Sequence, residues 1–523
     1  MTPLTVGQLY DRAVAQGRER IAITDGDRQV SYSELGEKAA RLAGAFAEMG
    51  VGRGERIAFL VSNCAEYVAC EYAAAKLGAT RVPLAVMLGE EDHVYMMNFA
   101  RCKMLVYHAR LQARVLAMQP RLETVEFFIM AGSAETPPPS GHLSLADLLS
   151  NGCPAQGADD IDPEEIAGIY FTGGTTGKPK GVMLSHRAWF YTYFMEMLDF
   201  GIGFRETFVF ATPMTHAGGC LILPVLLRQG RCVVLDRFDP ILLLAAIERE
   251  RATATLLIPS MIYALLDCPQ RSEYDCSSLR NILYGASAIA PERLKQALKA
   301  FGPIFTQFFG QTEAPMALVA MQREDHVVAD PEREQTALAS AGRPTYAAEI
   351  RLVDEVGEDV PPGEAGEVIA RAPNMMNGYL DDPEATAFAV RDGWLYTGDI
   401  ARWNDEGLLT IVDRKKDMII SGGFNIYPRE VEDVLFEHPA VRQAAVIGVP
   451  HEKWGEEVKA LVVLHPGATT GERELLDFVK TKKGSVMTPK SVDFVDAIPL
   501  TNLGKMDKKA MRARYWHGRA RNV

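Results

Sequence analysis

A loop rich in glycine, threonine and lysine follows a short strand-like segment at residues 169–171. Its eleven residues, Thr172–Val182, read TGGTTGKPKGV and contain four glycines, three threonines and two lysines. Glycines allow successive backbone N–H groups to approach a ligand closely. Threonine hydroxyls add hydrogen-bond donors and lysines add positive charge, so the combination favours binding of a polyphosphate. The candidate binding residues are Thr172, Gly173, Gly174, Thr175, Thr176, Gly177, Lys178 and Lys180.

This loop is not a Walker A motif, which has the pattern GxxxxGK[ST]. That pattern requires glycine at position 172 and serine or threonine at position 179, where Thr172 and Pro179 stand. Pro179 also prevents a helix from propagating immediately, so phosphate binding here would not depend on a helix dipole. Taken alone, the loop leaves a second interpretation open, namely a solvated flexible connection.

Four further polar residues stand in short motifs, and their types are suited to chemistry. Glu313 in FGQTEA is flanked by apolar residues, which is unusual for a solvated surface carboxylate. Asp399 in WLYTGDI, taken alone, is best explained as a turn-forming residue. His216 in PMTHAG is by itself more typical of a packed histidine, and Lys505 of a surface lysine. Their functional interpretation therefore depends on the rest of the chain.

The composition is that of an ordinary globular protein. Of 523 residues, 48% are hydrophobic and 24% are charged, which excludes a disordered or collagen-like chain. The net charge of −13 argues against a nucleic-acid coat protein, because coating nucleic acid requires a basic surface. A small phosphorylated ligand stays compatible with this charge, since a site can be locally basic on an acidic protein.

Cysteine spacing and the first residues predict a cytoplasmic protein. The eight cysteines include no C-x-x-C pair, which favours reduced thiols over disulfides or a zinc ribbon. Residues 1–14 lack the basic and apolar regions of a signal peptide. The longest apolar stretches, Leu221–Leu227 and Ile241–Ile247, are too short to cross a bilayer. The basic stretch Lys505–Arg521 leaves open peripheral contact with an anionic membrane or ligand, and a solvated tail is the default interpretation.

Strand-like and helical patterns alternate along most of the chain. The buried strand pattern Arg56–Val61 precedes a helical pattern at Glu66–Leu77, and the alternation recurs between residues 230 and 258. It predicts a layered α/β fold with largely parallel sheets. Glu367–Arg371 and Leu408–Val412 are typical of antiparallel strands and predict a β-rich subdomain. Beyond Asp413 the sequence predicts a small α+β domain with helices at Pro428–Glu437 and Gly471–Lys482 and strands at Val441–Val449, Glu457–Leu464 and Ser491–Phe494.

Together with the glycine-rich loop, seven motifs in a fixed order resemble the adenylate-forming superfamily. That superfamily includes acyl- and aryl-CoA ligases, firefly-type luciferases and the adenylation domains of peptide synthetases. In the loop, Gly173 stands where the superfamily usually has serine. The other motifs are Pro213–Gly218 (PMTHAG), Tyr284–Ser287 (YGAS), Phe309–Ala314 (FGQTEA), Gly342–Pro344 (GRP), Trp394–Ile400 (WLYTGDI), Asp413–Glu432 (DRKKDMIISGGFNIYPREVE) and Pro499–Lys505 (PLTNLGK). The flanking segments fit as well, so the resemblance covers essentially the whole chain.

The resemblance implies ATP, Mg²⁺ and CoA as ligands and assigns a role to each motif. Glu313 would hold Mg²⁺ between phosphates, and Thr312 would contact the α-phosphate. Lys505 would bridge the reacting carboxylate and the α-phosphate as a movable positive charge. Asp399 would bind the ribose hydroxyls, and Arg414 would add a ribose or phosphate contact. The remaining nucleotide-binding residues that the motifs imply are Gly285, Ala286, Ser287, Phe309, Gly310 and Gln311.

The resemblance also implies a lid that rotates. An N-terminal domain of residues 1–415 would bind ATP and the acid, and a small mobile α+β domain of residues 416–523 would close over them. Lys416 stands at the superfamily's hinge position. Rotation there would bring Gly422 and Gly423 to the site, where they let the pantetheine arm of CoA approach the backbone. We expect a monomer or a homodimer, with no nucleic acid as a partner.

The segment around His216, which matches the superfamily's position beside the acyl pocket, indicates the class of acid. Peptide-synthetase domains usually have an aspartate near this motif, and Met214–Gly219 has none, so an amino acid is disfavoured. An aromatic stripe precedes the motif and is explained either by a helix core or by the wall of an apolar pocket. The stripe consists of Trp189, Phe190, Tyr193, Phe194 and Met197. We therefore expect a fatty, alicyclic or aromatic monocarboxylate, with a carrier-protein ligase and an inactive homologue as alternatives.

Overall fold

The computed structural model describes residues 3–132, 137–155, 157–158, 160–172, 179–501 and 506–516. In these residues the strands form four sheets. Two large sheets and one five-stranded sheet are built from residues up to Arg414, and a second five-stranded sheet begins at Ile419. The predicted fold class is therefore confirmed: a large α/β body with a β-rich part precedes a small α+β unit.

The eight-stranded sheet is parallel over most of its width. In spatial order its strands are Gly378–Tyr379, Lys180–Ser185, Ile166–Thr172, Thr80–Pro83, Arg56–Leu60, Met104–His108, Phe127–Ala131 and Leu143–Ser144. Ile166–Thr172 and Lys180–Ser185 pair antiparallel, with Thr172 opposite Lys180. The two ends of the glycine-rich loop therefore lie side by side at one edge of this sheet.

The nine-stranded sheet brings two further motifs to one edge. In spatial order its strands are Arg343–Pro344, Ala314–Met321, Phe305–Gln311, Asn281–Gly285, Ala254–Leu257, Thr207–Phe210, Arg231–Val234, Ile21–Asp25 and Arg28–Ser31. Asn281–Gly285 and Phe305–Gln311 are parallel neighbours, with Gly285 opposite Phe308. Because parallel strands have their carboxyl ends at the same edge, the residues that follow them come together there.

The two five-stranded sheets are smaller and mostly antiparallel. The first contains Glu349–Val353, Gly366–Arg371, Trp394–Trp403 and Val390–Arg391 in spatial order, with Leu409–Arg414 also paired to Trp394–Trp403. The second contains Phe424–Ile426, Ile419–Ser421, Gly455–Leu464 and Val441–His451, with Ser491–Phe494 also paired to Gly455–Leu464.

Helices cover the sheets, and six of those described begin with proline, whose fixed φ and missing N–H suit the first helical turn. The α-helices are Val6–Gly17, Tyr32–Glu48, Ala65–Leu77, Glu90–Phe99, Gln112–Met118, Leu145–Asn151, His186–Asp199, Ala217–Cys220, Ile222–Leu227, Pro240–Glu250, Pro259–Leu266, Pro291–Phe301, Pro331–Leu338, Pro383–Ala389, Pro428–Phe436, Glu472–Met487 and Lys508–Ala513. Short 3₁₀ turns occur at Ala109–Leu111, Gln119–Arg121, Pro269–Glu273, Arg323–His326 and Lys415–Asp417.

The body and the small unit have separate cores. One hydrophobic cluster joins both large sheets, represented by Phe59 and Phe210, to helices that lie between them. The small unit has a cluster of its own around Val431, Val446 and Leu475. Each part thus buries apolar residues of its own, and a smaller cluster of Ile400, Val412 and Tyr427 joins the two parts at their junction.

Candidate active site

The segment after strand Asn281–Gly285 has a constrained backbone. A Cβ atom at Gly285 would collide with the carbonyl oxygen of Phe308 on the next strand. Ala286 has a φ of +64°, in the left-handed region that non-glycine residues rarely occupy. Such conformations concentrate at functional sites, where the surrounding structure maintains them. That this segment lies against a flat ligand stays a prediction, and its small side chains would leave room for one.

A tight hairpin carries Thr312 and Glu313. Strands Phe305–Gln311 and Ala314–Met321 pair antiparallel with Gln311 opposite Ala314, so the two residues between them form the turn. The register shifts between Phe309 and Gln311, and Met316 on the returning strand has a φ of +59°. These features mark a β-bulge, which redirects side chains at the end of a hairpin.

The carboxylate of Glu313 has a defined partner within the described residues. The hydroxyl of Tyr379 donates to Oε1 of Glu313 at 2.8 Å. The backbone of the hairpin is also supported, because the N–H of Met376 donates to the Glu313 carbonyl at 2.8 Å. Burial and the Glu313 carboxylate both raise the pKa of Tyr379, so its hydroxyl stays a donor. The ammonium of Lys180 lies 4.9 Å from the centre of the Tyr379 ring.

Asp399 is the centre of a second polar cluster. It is buried, and its Oδ1 pairs with Nε of Arg414 at 2.5 Å across the antiparallel strands. The side-chain amide of Gln311 donates to Oδ2 of Asp399 and to the carbonyl of Thr397, both at 2.7 Å. Gln311 therefore joins the Glu313 hairpin to the strand that carries Asp399. The structure brings together Gln311, Asp399 and Arg414, three residues that the sequence assigned to one nucleotide site.

His216 lies in a turn that is shaped by a residue the sequence analysis missed. The side chain of Asn63 donates to the carbonyls of Thr212 and Leu235 at 2.9 and 3.0 Å and accepts from the N–H of Met214 at 2.7 Å. Nδ1 of His216 lies 3.2 Å from the Thr215 hydroxyl. Asn63 follows the carboxyl end of the buried strand Arg56–Leu60. This position was the feature of the sequence that could have indicated its role.

The aromatic stripe divides between core and surface. On helix His186–Asp199, Trp189 and Tyr193 are buried and stacked with ring centres 5.4 Å apart, whereas Phe194 is 46% exposed. Glu196 on the same helix is fully buried, and neither carboxylate oxygen has a hydrogen-bond partner within the described residues. Burial raises the pKa of Glu196 well above its usual range, which favours the neutral form of the carboxyl. The stripe is thus partly core. Glu196, a buried acid on the same helix, was not indicated by the sequence analysis.

Several expected site residues lie outside the described residues. They are Gly173, Gly174, Thr175, Thr176, Gly177, Lys178 and Lys505. Within the described residues, no group of three or more His, Cys, Asp or Glu side chains is placed to hold a metal ion. A cation at Glu313 would therefore take most of its ligands from phosphate oxygens and water, as Mg²⁺ commonly does.

The segment predicted to act as the hinge, around Lys416, is flanked by residues that form hydrogen bonds and ion pairs. Lys416 lies in the 3₁₀ turn Lys415–Asp417. Oδ2 of Asp413 accepts from the N–H of Arg429 at 3.1 Å and lies 3.7 Å from the ammonium of Lys508, which also pairs with Glu432 at 2.9 Å. Burial opposes the charge of Lys508, but the carboxylates outweigh it and raise the pKa. In residues 506–516 the basic C-terminal stretch is therefore folded onto the hinge, and the default interpretation of a solvated tail is wrong for this part.

The glycine pair of the small unit is exposed. Gly422 and Gly423 have φ values of +58° and +87°, and the neighbouring Phe424 is 58% exposed. A Cβ atom on Gly422 would lie 3.4 Å from Trp454, whose ring stacks on His451 at 4.3 Å. The structure thus places these residues apart from Glu313 and Asp399 in the arrangement described.

Further polar contacts connect the small unit to the body, in addition to those that Asp413 makes with Arg429 and Lys508. Arg402 pairs with Glu430 at 2.9 Å, and Arg442 lies 3.5 Å from Asp267. In addition, the guanidinium of Arg429 donates to the carbonyl of Ile289 at 3.4 Å. The more exposed of these ion pairs contribute little free energy each, and a small apolar cluster of Ile400, Val412 and Tyr427 also spans the junction.

Comparisons with known proteins agree with the geometry. The model of the AMP-binding enzyme family matches residues 10–380, and that of the AMP-binding enzyme C-terminal domain matches residues 430–505. A medium/long-chain-fatty-acid–CoA ligase of Mycobacterium tuberculosis is 39% identical, covering 100% of this chain and 92% of the relative. A feruloyl-CoA synthase of Amycolatopsis sp is 37% identical over 94% of this chain and 96% of the relative.

Solved structures show the same fold. The amide bond synthetase from Marinactinospora thermotolerans superposes with a TM-score of 0.89 at 33% identity, covering 97% of this chain and 99% of that one. An anthranilate CoA ligase in complex with anthranoyl-AMP superposes with a TM-score of 0.90 at 24% identity and supports the fold alone. In the described part of the chain, no helix combines the length and apolar character that crossing a membrane requires. Over nearly its full length, the chain belongs to the AMP-binding enzyme family and so to the adenylate-forming superfamily that its motifs resemble.

Proposed function

We propose that the protein is an acyl-CoA synthetase that joins an apolar carboxylic acid to CoA while ATP is cleaved to AMP and pyrophosphate. The observation that carries this proposal is the meeting of separate motifs at one edge of the two large sheets. Lys180 from the glycine-rich loop, Glu313 from the hairpin and Asp399 with Arg414 from the β-rich part are connected through Tyr379 and Gln311. The names of full-length relatives, which include fatty-acid, feruloyl and indoleacetate ligases, support the same reaction.

The reaction has two halves. In the first, a carboxylate oxygen of the acid attacks the α-phosphorus of ATP, an acyl–phosphate bond forms, and pyrophosphate leaves. In the second, the thiol of CoA loses its proton as sulfur attacks the acyl carbonyl, and AMP leaves. Two anions must approach each other in the first half, so the site has to supply positive charge where negative charge gathers.

Each of the site residues has a separate role in the first half-reaction. Asp399, assisted by Arg414, binds the ribose hydroxyls, and its burial keeps the carboxylate from competing waters. Thr312 contacts the α-phosphate, and Lys505 bridges the carboxylate and the α-phosphate. Bound Mg²⁺ would neutralise phosphate charge, and we propose that the Glu313 carboxylate would hold it. The half-exposed position of Glu313 in the turn suits such a contact.

The second half-reaction requires the lid to turn. We place the hinge at residues 415 and 416, so that residues 416–523 rotate and bring Gly422 and Gly423 to the acyl adenylate. The core that the small unit has of its own supports its rotation as a rigid body, and the exposed Arg442–Asp267 contact can break at little cost. The free state of all eight cysteines supports a reducing, cytoplasmic location.

The class of acid is a fatty, alicyclic or aromatic monocarboxylate. The turn around His216 contains the small residues Gly218 and Gly219. A Cβ atom at either position would come too close to backbone carbonyl oxygens of the preceding residues. Named relatives act on fatty, hydroxycinnamic, indole and hydrindane acids, which all combine a carboxylate with an apolar body. An amine should be compared with CoA as the acyl acceptor, because the amide bond synthetase at 33% identity is named for transfer to nitrogen.

A screen of acids and acceptors tests this function. The purified protein is incubated with ATP, Mg²⁺ and CoA together with fatty acids of increasing length or with ring acids, and AMP release and loss of free thiol are measured. We expect equal amounts of AMP and acyl-CoA with at least one apolar acid, and ATP–pyrophosphate exchange that depends on the acid. Acid-dependent exchange with transfer only to an amine or a carrier protein would exclude CoA as the acceptor. No exchange with any acid would contradict the proposed function.

A further inference from the structure

Tyr379 contacts two charged groups that belong to different motifs. Its hydroxyl donates to Oε1 of Glu313 at 2.8 Å, and the face of its ring lies 4.9 Å from the ammonium of Lys180. Glu313 is at the tip of a hairpin in the nine-stranded sheet, whereas Lys180 begins a strand of the eight-stranded sheet. Within the described residues, Tyr379 thus forms a direct side-chain connection between the two sheets at the candidate active site.

The backbone holds Tyr379 firmly in this position. It pairs antiparallel with Val182, two residues after Lys180, and its N–H donates to the Thr386 hydroxyl at 2.9 Å. The next residue, Leu380, donates its N–H to the Gly181 carbonyl at 2.7 Å. Because the backbone of Tyr379 is fixed by these hydrogen bonds, the position of its hydroxyl is set before any ligand binds.

The same segment supports the hairpin that carries Glu313. The N–H of Met376 donates to the carbonyl of Glu313 at 2.8 Å, and the side chain of the buried Asn374 donates to the carbonyl of Pro315 at 3.0 Å. Residues 374–379 therefore contact both the backbone and the carboxylate of the turn. A carboxylate at the end of a two-residue turn can rotate freely, and a hydrogen bond to one oxygen leaves the other directed toward a cation.

We infer that Tyr379 is a positioning residue: it orients the Glu313 carboxylate toward the Mg²⁺–phosphate group and aligns the Lys180 ammonium beside it. This inference rests on the proposed function, since Glu313 is the candidate Mg²⁺ ligand there. Groups that hydrogen-bond to a metal ligand usually affect metal affinity about 10- to 100-fold when removed. The ring contact with Lys180 is a cation–π interaction, which orients an ammonium without neutralising it.

The test separates the hydroxyl from the ring. Tyr379→Phe removes the donor and keeps the ring under Lys180, whereas Tyr379→Leu removes both. For Tyr379→Phe we expect the Mg²⁺ concentration at half-maximal ATP–pyrophosphate exchange to rise about 10-fold or more, with recovery of the rate at high Mg²⁺. Mn²⁺ binding in the presence of ATP, measured by electron paramagnetic resonance, should weaken by the same factor. CoA transfer to presynthesised acyl-AMP should stay unchanged, because that half-reaction does not use the phosphate-bound cation.

A matched control exists in the small unit. Tyr515 donates its hydroxyl to the Asp493 carboxylate, and the ammonium of Lys459 lies 5.2 Å from its ring centre. Tyr515→Phe therefore removes the same kind of hydrogen bond from the same kind of cluster, away from Glu313. We expect wild-type Mg²⁺ dependence and Mn²⁺ binding for this variant. A similar shift in Tyr515→Phe would overturn the inference, because the effect would then be general.

The outcomes distinguish the inference from the function on which it rests. If the wild type shows no acid-dependent exchange, the proposed function fails. If the wild type is active, Glu313→Gln is impaired and Tyr379→Phe keeps wild-type Mg²⁺ dependence and Mn²⁺ binding, then the inference is wrong and the function stands. If Tyr379→Phe also lowers the melting temperature, the double variant with Glu313→Gln decides the question. Effects on Mn²⁺ binding that do not add support positioning through Glu313, and additive effects contradict it.

Discussion

Glu313 and Asp399 are both acidic residues in short polar motifs, yet their surroundings in the fold are different. Asp399 is buried and has both oxygens engaged, one by Arg414 and the other by Gln311. Glu313 lies half-buried in a turn, where Tyr379 engages one of its oxygens. A buried, oriented carboxylate suits the recognition of neutral hydroxyls, whereas a more open one can join the coordination of a hydrated cation. These surroundings therefore support the proposed division of roles between the two carboxylates.

Lys505 is the residue with the most specific predicted effect on the first half-reaction, and it lies outside the described residues. For Lys505→Ala we expect acyl-AMP formation to slow about 100-fold or more, because a charge that stabilises the transition state is lost. CoA transfer to presynthesised acyl-AMP should proceed at the wild-type rate. Both are measured in single-turnover reactions, with Lys509→Ala, at an exposed lysine of the same basic stretch, as the control. Equal loss in both half-reactions would contradict the assigned role.

At the scale of elements, the hairpin between Phe305 and Met321 determines where the catalytic turn lies. Its bulge requires a close approach of two backbones, because Gly310 faces the backbone of Met316 across the pair. Residues 374–379 support the turn from one side, and Gln311 connects it to the Asp399 strand on the other. Small displacements of this element would therefore move Thr312 and Glu313 together.

Gly310→Ala tests how strongly stability and adenylation depend on the position of the hairpin. A Cβ atom at position 310 would lie 2.7 Å from the backbone N and C atoms of Met316, so the strands have to separate. We expect a loss of about 1–3 kcal/mol in the free energy of unfolding, typical of overpacking. The adenylation rate should fall about tenfold or more, since a displacement of 1 Å can cost as much as 100-fold. Urea unfolding and ATP–pyrophosphate exchange measure the two effects.

Gly52→Ala is the matched control for this substitution. A Cβ atom there would meet nothing within 4 Å, and the residue lies in the loop before strand Arg56–Leu60, at the end opposite Asn63. Its stability and exchange rate should equal those of the wild type. If Gly310→Ala behaved in the same way as this control, the hairpin would tolerate displacement and our account of its constraint would fail.

At the scale of the whole molecule, the small unit contacts the body through exposed ion pairs, through the buried Asp413 and through the apolar cluster of Ile400, Val412 and Tyr427. Asp413, before the hinge, pairs with Arg429 and Lys508 after it, and these bonds would have to rearrange when the lid turns. The glycine pair of residues 422 and 423 is exposed in this arrangement and does not contact the candidate active site. In the proposed function, a second orientation would bring different groups to the site and so allow one chain to perform two reactions in sequence.

Gly422→Leu tests the second orientation. A bulky side chain there would obstruct the pantetheine arm, so we expect CoA transfer to fall about 100-fold or more while acyl-AMP formation continues. The φ of +58° also strains any side chain, and Gly467→Leu, at a φ of +77° with open space around it, controls for that strain. Acyl-AMP accumulation and thiol consumption are followed together. Unchanged CoA transfer in Gly422→Leu would exclude the rotation that we propose.

Much of the fold and part of the site were predictable because their signals are local. Alternating strand and helix patterns predicted the α/β body and the small α+β unit, since periodicity reflects which face of an element is buried. Gln311, Asp399 and Arg414 were assigned to one site from their motifs and are in contact in the structure. The aromatic stripe could not be resolved in this way, because a helix that is apolar on several faces does not reveal which of them faces the core.

The sequence by itself determined the family, the reaction class and the types of residue that carry the chemistry, since each motif needs a particular turn or charge at a particular place. Only the tertiary structure decided which residues hold those motifs in position. Tyr379 contacts Glu313 and Lys180 from 66 and about 200 residues away, and Asn63 bonds to Met214 across 151 residues. Such partners leave no local pattern, because a hydrogen bond between distant segments depends on how the sheets pack and not on the spacing of residues along the chain.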